Sequence, residues 1–399
     1  MINVLLNALA STAGGGVTYL RNVLPLLSRS GESQRYFVLA PPSQLRNFDS
    51  LSSERMKIEA VEINGALKRM WWEQTGLRQL VKSERINVLV SLGNFALLGS
   101  PVPQILFNRN DLFFSTEFER DLQRRKLFGE LVIHRFKGWL ARKSIKQATV
   151  NITPTAAFAE RIRSDSKFGQ IKIETLQFGF DAEGFTADIE SLPDSLIAKL
   201  NMREGCRRVL YVSHYNYFRN FETLIRALPN IKARLKQQTG EDVQLVLTTD
   251  IRCGAVYGGY DATAAAELID RLGVRDDIAM LGSIDYSKLH QLYKLCDMFV
   301  CPSYSESFGH PLVEAMASGM PVVSANLPVH REVCGDAAIY FDVFDERNLA
   351  EQCVRVLADG NLSNHLRTRG LQRSREFSWR EHVRQLTALI TRVAEQHNQ

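Results

Sequence analysis

The chain has 399 residues and is 45% hydrophobic, 23% charged and 9% aromatic, with a net charge of +5. That is globular composition with length for two domains or more, and its dispersed basic residues suit anionic ligands rather than nucleic acid. No apolar run approaches a membrane span, and the six cysteines show neither a CxxC pair nor zinc-ligand spacing, so they read as reduced thiols of a cytosolic protein.

Residues 2–7, in the apolar opening MINVLLNALAS, read as a first strand rather than a leader, because no basic segment precedes them. The turn ASTAGGGVTYL (10–20) leads into a helix over 17–29. It is not GxGxxG, and a glycine-rich strand-to-helix turn is more often close-packed than a phosphate cradle. Strands follow at 36–40, 87–91, 104–108, 148–152 and 172–177, with amphipathic helices at 72–83 and 155–165. Trp71 and Trp72 fit either an aromatic anchor or interdomain core. The basic stretch 119–147 reads as a long helical stretch. It is either a solvated face or a surface that docks on an anionic membrane presenting a lipid-linked acceptor. A polar segment, 186–206, then separates a second series: strands at 207–213, 243–249, 278–282, 297–301 and 321–324, with helices at 221–238, 286–295 and 346–358. Strand–helix alternation means βαβ units and parallel sheets, so the fold class is α/β with two doubly wound domains, 1–187 and 188–378. Ligands of such sheets bind beyond the carboxyl ends of the strands, which gives weight to motifs there.

The densest such motif is SYSESFGHPLVEAMASG (303–319). It reads as strand end, loop and short helix, with Pro311 as first helical residue and Gly319 just past the end. A helix N-terminus at a strand's carboxyl end is an anion site, and Gly309 lets a ligand approach the backbone. Glu306 and Glu314 flank that site. Carboxylates repel phosphate but accept hydrogen bonds from hydroxyls. Two acids around an anion site therefore fit ribose, diphosphate and sugar, the layout of a nucleotide sugar. The competing reading makes Glu306 a solvated loop acid and Glu314 a helix-start acid favoured by the dipole.

The frame PS-x-x-E-x-FG-x-P-x-x-EAMA-x-G-x-PV resembles the retaining glycosyltransferases of family 4, which have the GT-B fold. The likeness runs almost continuously over 276–342. It includes YVSHYNYFRNFETLIRALP (211–229), TPTAAFAERI (153–162), LQFGFDAEGF (176–185) and FSW (377–379). The resemblance implies two Rossmann-like domains facing a central cleft, the first reading the acceptor and the second the nucleotide sugar, with a C-terminal helix (379–399) packing back on the first. By the same resemblance Glu314 binds the ribose and Glu306 lies by the donor sugar. Phe308, Gly309, His310, Pro311 and Leu312 supply backbone donors. Arg219 takes the place of a lysine that grips the diphosphate, and His214 that of an arginine, a departure that weakens the clamp. Ser283 and Ile284 contact the base through backbone groups. Gly15 and Gly16 lie across the cleft from the diphosphate. Where many relatives carry His-Asp, this chain has Asn110-Asp111. Asp111 is then the candidate to hold or deprotonate the acceptor hydroxyl, or to contact the donor sugar, with a turn cap as its competing role. Asn94 lines the same side.

The implied reaction moves a mannose- or other hexose-type unit from a UDP- or GDP-linked donor to a glycan or lipid-linked acceptor. It retains configuration, and its setting is bacterial surface polysaccharide (O-antigen or capsule) synthesis. No Asp-x-Asp triplet occurs, so no metal or other cofactor is expected, and Arg219 with helix and backbone donors carries the leaving diphosphate. The expected location is the cytoplasm, with peripheral membrane contact through 119–147 as the second reading. The alternatives are a nucleotide-sugar epimerase, a phosphorylase, or a non-catalytic sugar-nucleotide-binding scaffold.

Overall fold

Runs of valine, isoleucine and leucine build a parallel sheet in each of two units of this computed structural model. It describes residues 1–399 except 13, 31, 32, 46, 47, 64, 166, 167, 169, 170, 188, 189, 202, 204, 398 and 399. The first unit comprises Met1–Ser115, Leu122–Gly179 and Ser378–Gln399, and the second Thr116–Asp121 and Phe180–Phe377.

The sheet of the first unit contains β1 (Ile2–Asn7), β2 (Gln34–Ala40), β3 (Met56–Ala60), β4 (Val88–Ser91), β5 (Gln104–Phe107), β6 (Val150–Thr153) and β7 (Ile173–Thr175). The order is β3-β2-β1-β4-β5-β6-β7, with every pairing parallel. All residues of β4, β5 and β6 are buried, as expected for strands covered on both faces. β3 was not expected from the sequence. It is an edge strand whose Lys57 and Glu59 point to solvent and pair at 2.6 Å, so its short alternation of charge and apolar residues hid it.

The helix Gly15–Arg29 buries Tyr19, Leu20, Val23, Leu24 and Leu27. Tyr19 meets the last helix, Trp379–His397, where its hydroxyl lies 2.9 Å from His382 Nε2. His382 Nδ1 lies 2.8 Å from the Gln177 carbonyl. The last helix comes so close here that a Cβ on Gly179 would stand 2.1 Å from the Trp379 nitrogen.

The stretch 119–147 is not one helix. It forms Thr116–Arg124 and Phe128–Gln147, broken where Lys126 takes a left-handed φ of 57°.

The sheet of the second unit contains β8 (Cys206–Tyr211), β9 (Asp242–Leu247), β12 (Ile278–Met280), β13 (Met298–Cys301), β14 (Val322–Ala325) and β15 (Ala338–Phe341). A small hairpin, β10 (Val256–Tyr257) and β11 (Tyr260–Asp261), stands apart from it. The sheet order is β12-β9-β8-β13-β14-β15, again parallel throughout. The hairpin and β15 were also missing from the sequence reading. The hairpin turns through Gly258 and Gly259, both at positive φ, a two-residue turn that only such residues make easily.

The unit changes at Gly179/Phe180, earlier than the expected 187/188, and residues 188 and 189 lie outside the described residues. Packing explains the difference. Phe185 lies against Tyr286, His290 and Tyr293 of the second unit, so the polar segment begins after the chain has already joined that unit.

In each sheet the strand order reverses once, between β1 and β4 in the first unit and between β8 and β13 in the second. These are the topological switch points, where a crevice opens beyond the strand ends.

Gly179→Ala should lower stability by about 1–3 kcal/mol, the usual cost of overpacking, because the added carbon meets backbone rather than a movable side chain. A thermal or urea melt unchanged from wild type would contradict the close approach.

Candidate functional site

The switch point of the second unit carries the strongest constellation. Arg219 ends a 3₁₀ turn, Tyr217–Arg219, beyond β8, and Glu306 stands on the loop beyond β13. The two side chains form an ion pair. Arg219 Nη1 also lies 3.5 Å from Ser303 Oγ, and its guanidinium sits 5.0 Å from the Phe218 ring centroid. Glu306 is only 9% exposed, so it is no solvated loop acid.

The backbone under this pair is tied in four places. Asn216 Oδ1 accepts from the Arg219 N–H at 3.2 Å. Asn220, left-handed at φ 56°, donates from Nδ2 to the Pro302 carbonyl at 3.0 Å. Tyr304 N–H donates to the Phe218 carbonyl at 2.9 Å. The Tyr211 hydroxyl donates to the Arg219 carbonyl at 2.9 Å and lies 3.1 Å from Ser303 Oγ. None of Tyr211, Asn220 and Ser303 was singled out from sequence. An asparagine directly before a helix was the available signal for Asn220, because asparagine tolerates the left-handed region.

The helix His310–Ala317 follows. Its N-cap is Gly309 at φ 90°, with no side-chain cap. Pro311 is its second residue rather than its first. It ends as expected, because Met320 N–H reaches the Ala315 carbonyl and Gly319 N–H the Met316 carbonyl, each at 3.0 Å, with Gly319 at φ 68°. Two of the expected backbone donors are corrected. Pro311 has no N–H, and the Leu312 N–H already donates to the Gly309 carbonyl at 3.0 Å. Phe308 is a packing residue, its ring edge-on to His310 at 4.9 Å and to Phe377 at 5.6 Å.

Glu314 is buried one turn into this helix. Tyr293 donates to its Oε2 at 3.0 Å, and burial pushes the carboxyl up to about 7, with the Tyr293 bond opposing. The Tyr293 hydroxyl is in turn pushed well above its ordinary value, first by burial and then by Glu314. Tyr293 was also missed, because its partner is 21 residues away and no short spacing reveals it.

His214 lies exposed in the loop after β8, so it is not a core histidine. Ser283 and Ile284 follow β12 at the sheet edge, Ser283 exposed and Ile284 half-buried, next to Gly282 at φ 78°.

In the first unit, Gly16 is close-packed, since a Cβ there would lie 2.9 Å from the Ser11 Cα. Gly15 opens its helix, which has no side-chain cap and no acid in its first turn. Asn94 Oδ1 accepts from the backbone N–H of Arg109 at 2.7 Å and of Asn110 at 2.9 Å, and Asn110 Oδ1 caps the next turn by accepting from Leu112 N–H at 3.1 Å. Both asparagines therefore shape the loop after β5.

Asp111 is corrected. It is 3% exposed and takes a 2.7 Å ion pair from Arg161, so its carboxylate is held in the core rather than offered to a hydroxyl. Arg109 was missed. Its Nη2 donates to the Gly15 carbonyl at 2.6 Å, and its guanidinium stands over the rings of Tyr19 and Phe178 at 5.1 and 5.4 Å.

Residues 194–373 match the family described as Glycosyl transferases group 1. O-antigen chain mannosyltransferase B of Escherichia coli is 35% identical over 124 residues, which cover 31% of this chain and 32% of that protein. The chain thus spans about a third of that relative's length. Sucrose-phosphate synthase (tll1590) from Thermosynechococcus elongatus is similar in structure, with a TM-score of 0.72 and 17% identity, covering 98% of this chain and 99% of that one. Anabaena Alr3699/HepE, solved with UDP and with UDP-glucose, gives a TM-score of 0.70 at 17% identity over 98% and 100%. The likeness over nearly the whole chain shows the GT-B fold.

Glu314 sets a pH dependence. Its folded pKa of about 7 lies above the ordinary 4.5, so the native state binds the extra proton between these values. Stability is fully present below the lower value and is lost as pH rises through the upper one. Melts across this range should show wild type losing stability relative to Glu314→Gln as pH rises. A constant difference would mean that Glu314 titrates normally.

Proposed function

We propose, proceeding from the glycosyl transferases group 1 domain at residues 194–373, that the chain is a retaining, metal-independent glycosyltransferase. Its donor is a hexose-type nucleotide diphosphate sugar. The observation that carries this reading is the meeting of Arg219 and Glu306 at the second unit's switch point, with Glu314 one turn into the adjoining helix. The named relatives support it. One is an O-antigen mannosyltransferase, and a structural neighbour was solved with UDP-glucose.

The residues divide the work by charge. Glu314 accepts hydrogen bonds from the ribose hydroxyls, and those bonds favour its ionised form. The donor diphosphate draws Arg219 away from Glu306, which frees Glu306 for the hydroxyls of the sugar. As the bond from C1 of the sugar to the phosphate oxygen breaks, the leaving group gains charge, and Arg219 stabilises it without reorganising. The acceptor oxygen attacks C1 on the same face through an oxocarbenium-like state. Its proton passes to the departing phosphate oxygen. This route needs no separate base, which suits a chain whose Asp111 is engaged by Arg161.

The acceptor is a glycan or lipid-linked saccharide in bacterial surface polysaccharide synthesis, met at the cytoplasmic face of the membrane. Support for a membrane contact comes from the helix Phe128–Gln147. Among the described residues no helix is long and apolar enough to cross a membrane. Yet Phe128, Val132, Ile133, Phe136 and Trp139 are between 48% and 67% exposed, at spacings that share one side of the helix. Phe136 and Trp139 stack at 5.9 Å, and Lys143 lies 5.5 Å from the Trp139 ring centroid. Arg135, Lys137, Lys143 and Lys146 are exposed on the same helix, against a single acid, Glu130. Exposed apolar bulk with basic neighbours fits an anionic lipid surface.

Thermal melts without added metal test the donor site. UDP or GDP should raise the melting temperature, by about 2.7 kcal/mol of stabilisation at a hundredfold excess over Kd, and Arg219→Ala and Glu314→Ala should each abolish the shift. A shift that appears only with a divalent cation would overturn the metal-free reading.

Sedimentation with vesicles tests the membrane contact. Binding should favour phosphatidylglycerol over phosphatidylcholine, weaken with salt, and drop at least about tenfold in a Phe136→Ser/Trp139→Ser variant that keeps its nucleotide response. Equal binding to neutral vesicles, or binding indifferent to the double substitution, would remove the membrane from the proposal.

A further inference from the structure

Two side chains beside Glu306 take no part in the sugar-nucleotide chemistry. Cys301 ends β13, and its partner across the ladder is Ser324 of β14. His330 lies on the helix Pro328–Cys334 that follows β14, and it is fully buried. Cys301 Sγ, a carboxylate oxygen of Glu306 and a ring nitrogen of His330 all lie within 4.8 Å of one another.

The histidine ring is held in one tautomer. Its Nδ1 lies 3.0 Å from the Ala325 carbonyl and 2.8 Å from Ser324 Oγ. A carbonyl only accepts, so Nδ1 carries the proton and Nε2 keeps its lone pair. Nε2 is buried and has no hydrogen-bond partner. An unused acceptor in the core is costly and asks for an explanation. A ring fixed through one nitrogen by a backbone carbonyl, with the other left open, is the arrangement of a metal-ligating histidine.

We propose that Cys301, Glu306 and His330 form a site for a thiophilic divalent cation of the zinc class. A thiolate, a carboxylate and a neutral imidazole supply two negative charges against two positive ones. The sulfur selects zinc or cadmium over magnesium or calcium. Ligand bonds of about 2.0–2.3 Å place donor atoms roughly 3.5 Å apart around such an ion, so small side-chain rotations close the cluster. Glu306 is the least buried of the three and marks the entry side. The thiol loses its proton on binding. Burial pushes that thiol up, so affinity rises with pH.

The consequence rests on the functional reading above: an ion on Glu306 takes the carboxylate from Arg219 and from the donor sugar, and so inhibits transfer. The site itself does not depend on that reading.

Cadmium is the probe, added to the full-length protein in a Cys253→Ser background that removes the exposed thiol. A cadmium–thiolate charge-transfer band should saturate at one ion per chain and be displaced by zinc but not by magnesium. Cys301→Ser should abolish the band, and His330→Asn should weaken binding at least tenfold. Cys334→Ser, which removes another buried thiol, should leave it intact. Melting curves confirm that each variant is folded, and His330→Asn carries the test alone if Cys301→Ser is not. No band in the parent protein, a band that survives the Cys301 change, or cadmium affinity unchanged by the His330 change overturns the site. The metal-free nucleotide shift separates the two readings: its loss with the band intact sinks only the functional proposal, and the reverse sinks only the cation site.

Discussion

The bond from Asn220 Nδ2 to the Pro302 carbonyl is the constraint on which the second unit's site depends. It ties the loop after β8 to the loop after β13, the two loops that leave the switch point on opposite sides. With the bond from Tyr304 N–H to the Phe218 carbonyl at 2.9 Å, it holds the segments of Arg219 and Glu306 together. Asn220 also accepts from Thr223 Oγ1 at 2.7 Å, so the helix Phe221–Thr239 is anchored to the same joint. The left-handed turn at Asn220 lets one residue end the 3₁₀ turn and precede that helix. Ion pairs at low exposure have to offset a desolvation cost, and they do so only with good geometry and further hydrogen bonds. The Tyr211, Ser303 and Asn216 bonds supply that geometry. The backbone that carries the pair is thus held in place before any ligand arrives.

Legibility in the sequence followed the distance over which a feature is determined. The Glu306–Glu314 frame was readable because strand end, glycine cap and short helix lie within one continuous stretch, and the structure places that helix and its Schellman end where the residues implied. The parallel α/β class was readable because strands covered on both faces are nearly uninterrupted apolar runs. What escaped was either at an edge or long-range. β3 and β15 are edge strands, and β3 carries charges at alternate positions. Asp111 read as a residue that holds or deprotonates the acceptor hydroxyl because nothing in its neighbourhood reveals Arg161, 50 residues on. Tyr293 was invisible for the same reason. Arg109 directly precedes Asn110, but its value depends on Gly15, Tyr19 and Phe178, which only the fold brings together.

Burial of Glu314 shows how one residue serves stability and recognition with opposite signs. A carboxyl raised to about 7 is unfavourable to fold around when ionised. Tyr293 offsets part of that cost with one hydrogen bond, leaving acceptor positions on the carboxylate unfilled. Hydroxyls brought by a ligand would fill them and favour ionisation. The helix N-terminus above is uncapped for a parallel reason, since Gly309 offers no side chain to its donors.

The first unit reaches a different balance at its own switch point. Arg109 stands there over two aromatic rings, with a backbone carbonyl as its hydrogen-bond partner and no carboxylate paired with it among the described residues. Burial lowers its basicity without neutralising it. The adjacent helix Gly15–Arg29 begins uncapped and without an acid in its first turn, which adds to the positive potential. Asp111 would have opposed that potential from the same loop, but Arg161 pairs with it at 2.7 Å. With Asn110 capping the loop after β5 and Asp111 engaged by Arg161, this edge is positive and shaped by amides. Such an edge is suited to holding a polar or anionic group in place rather than to taking a proton from it.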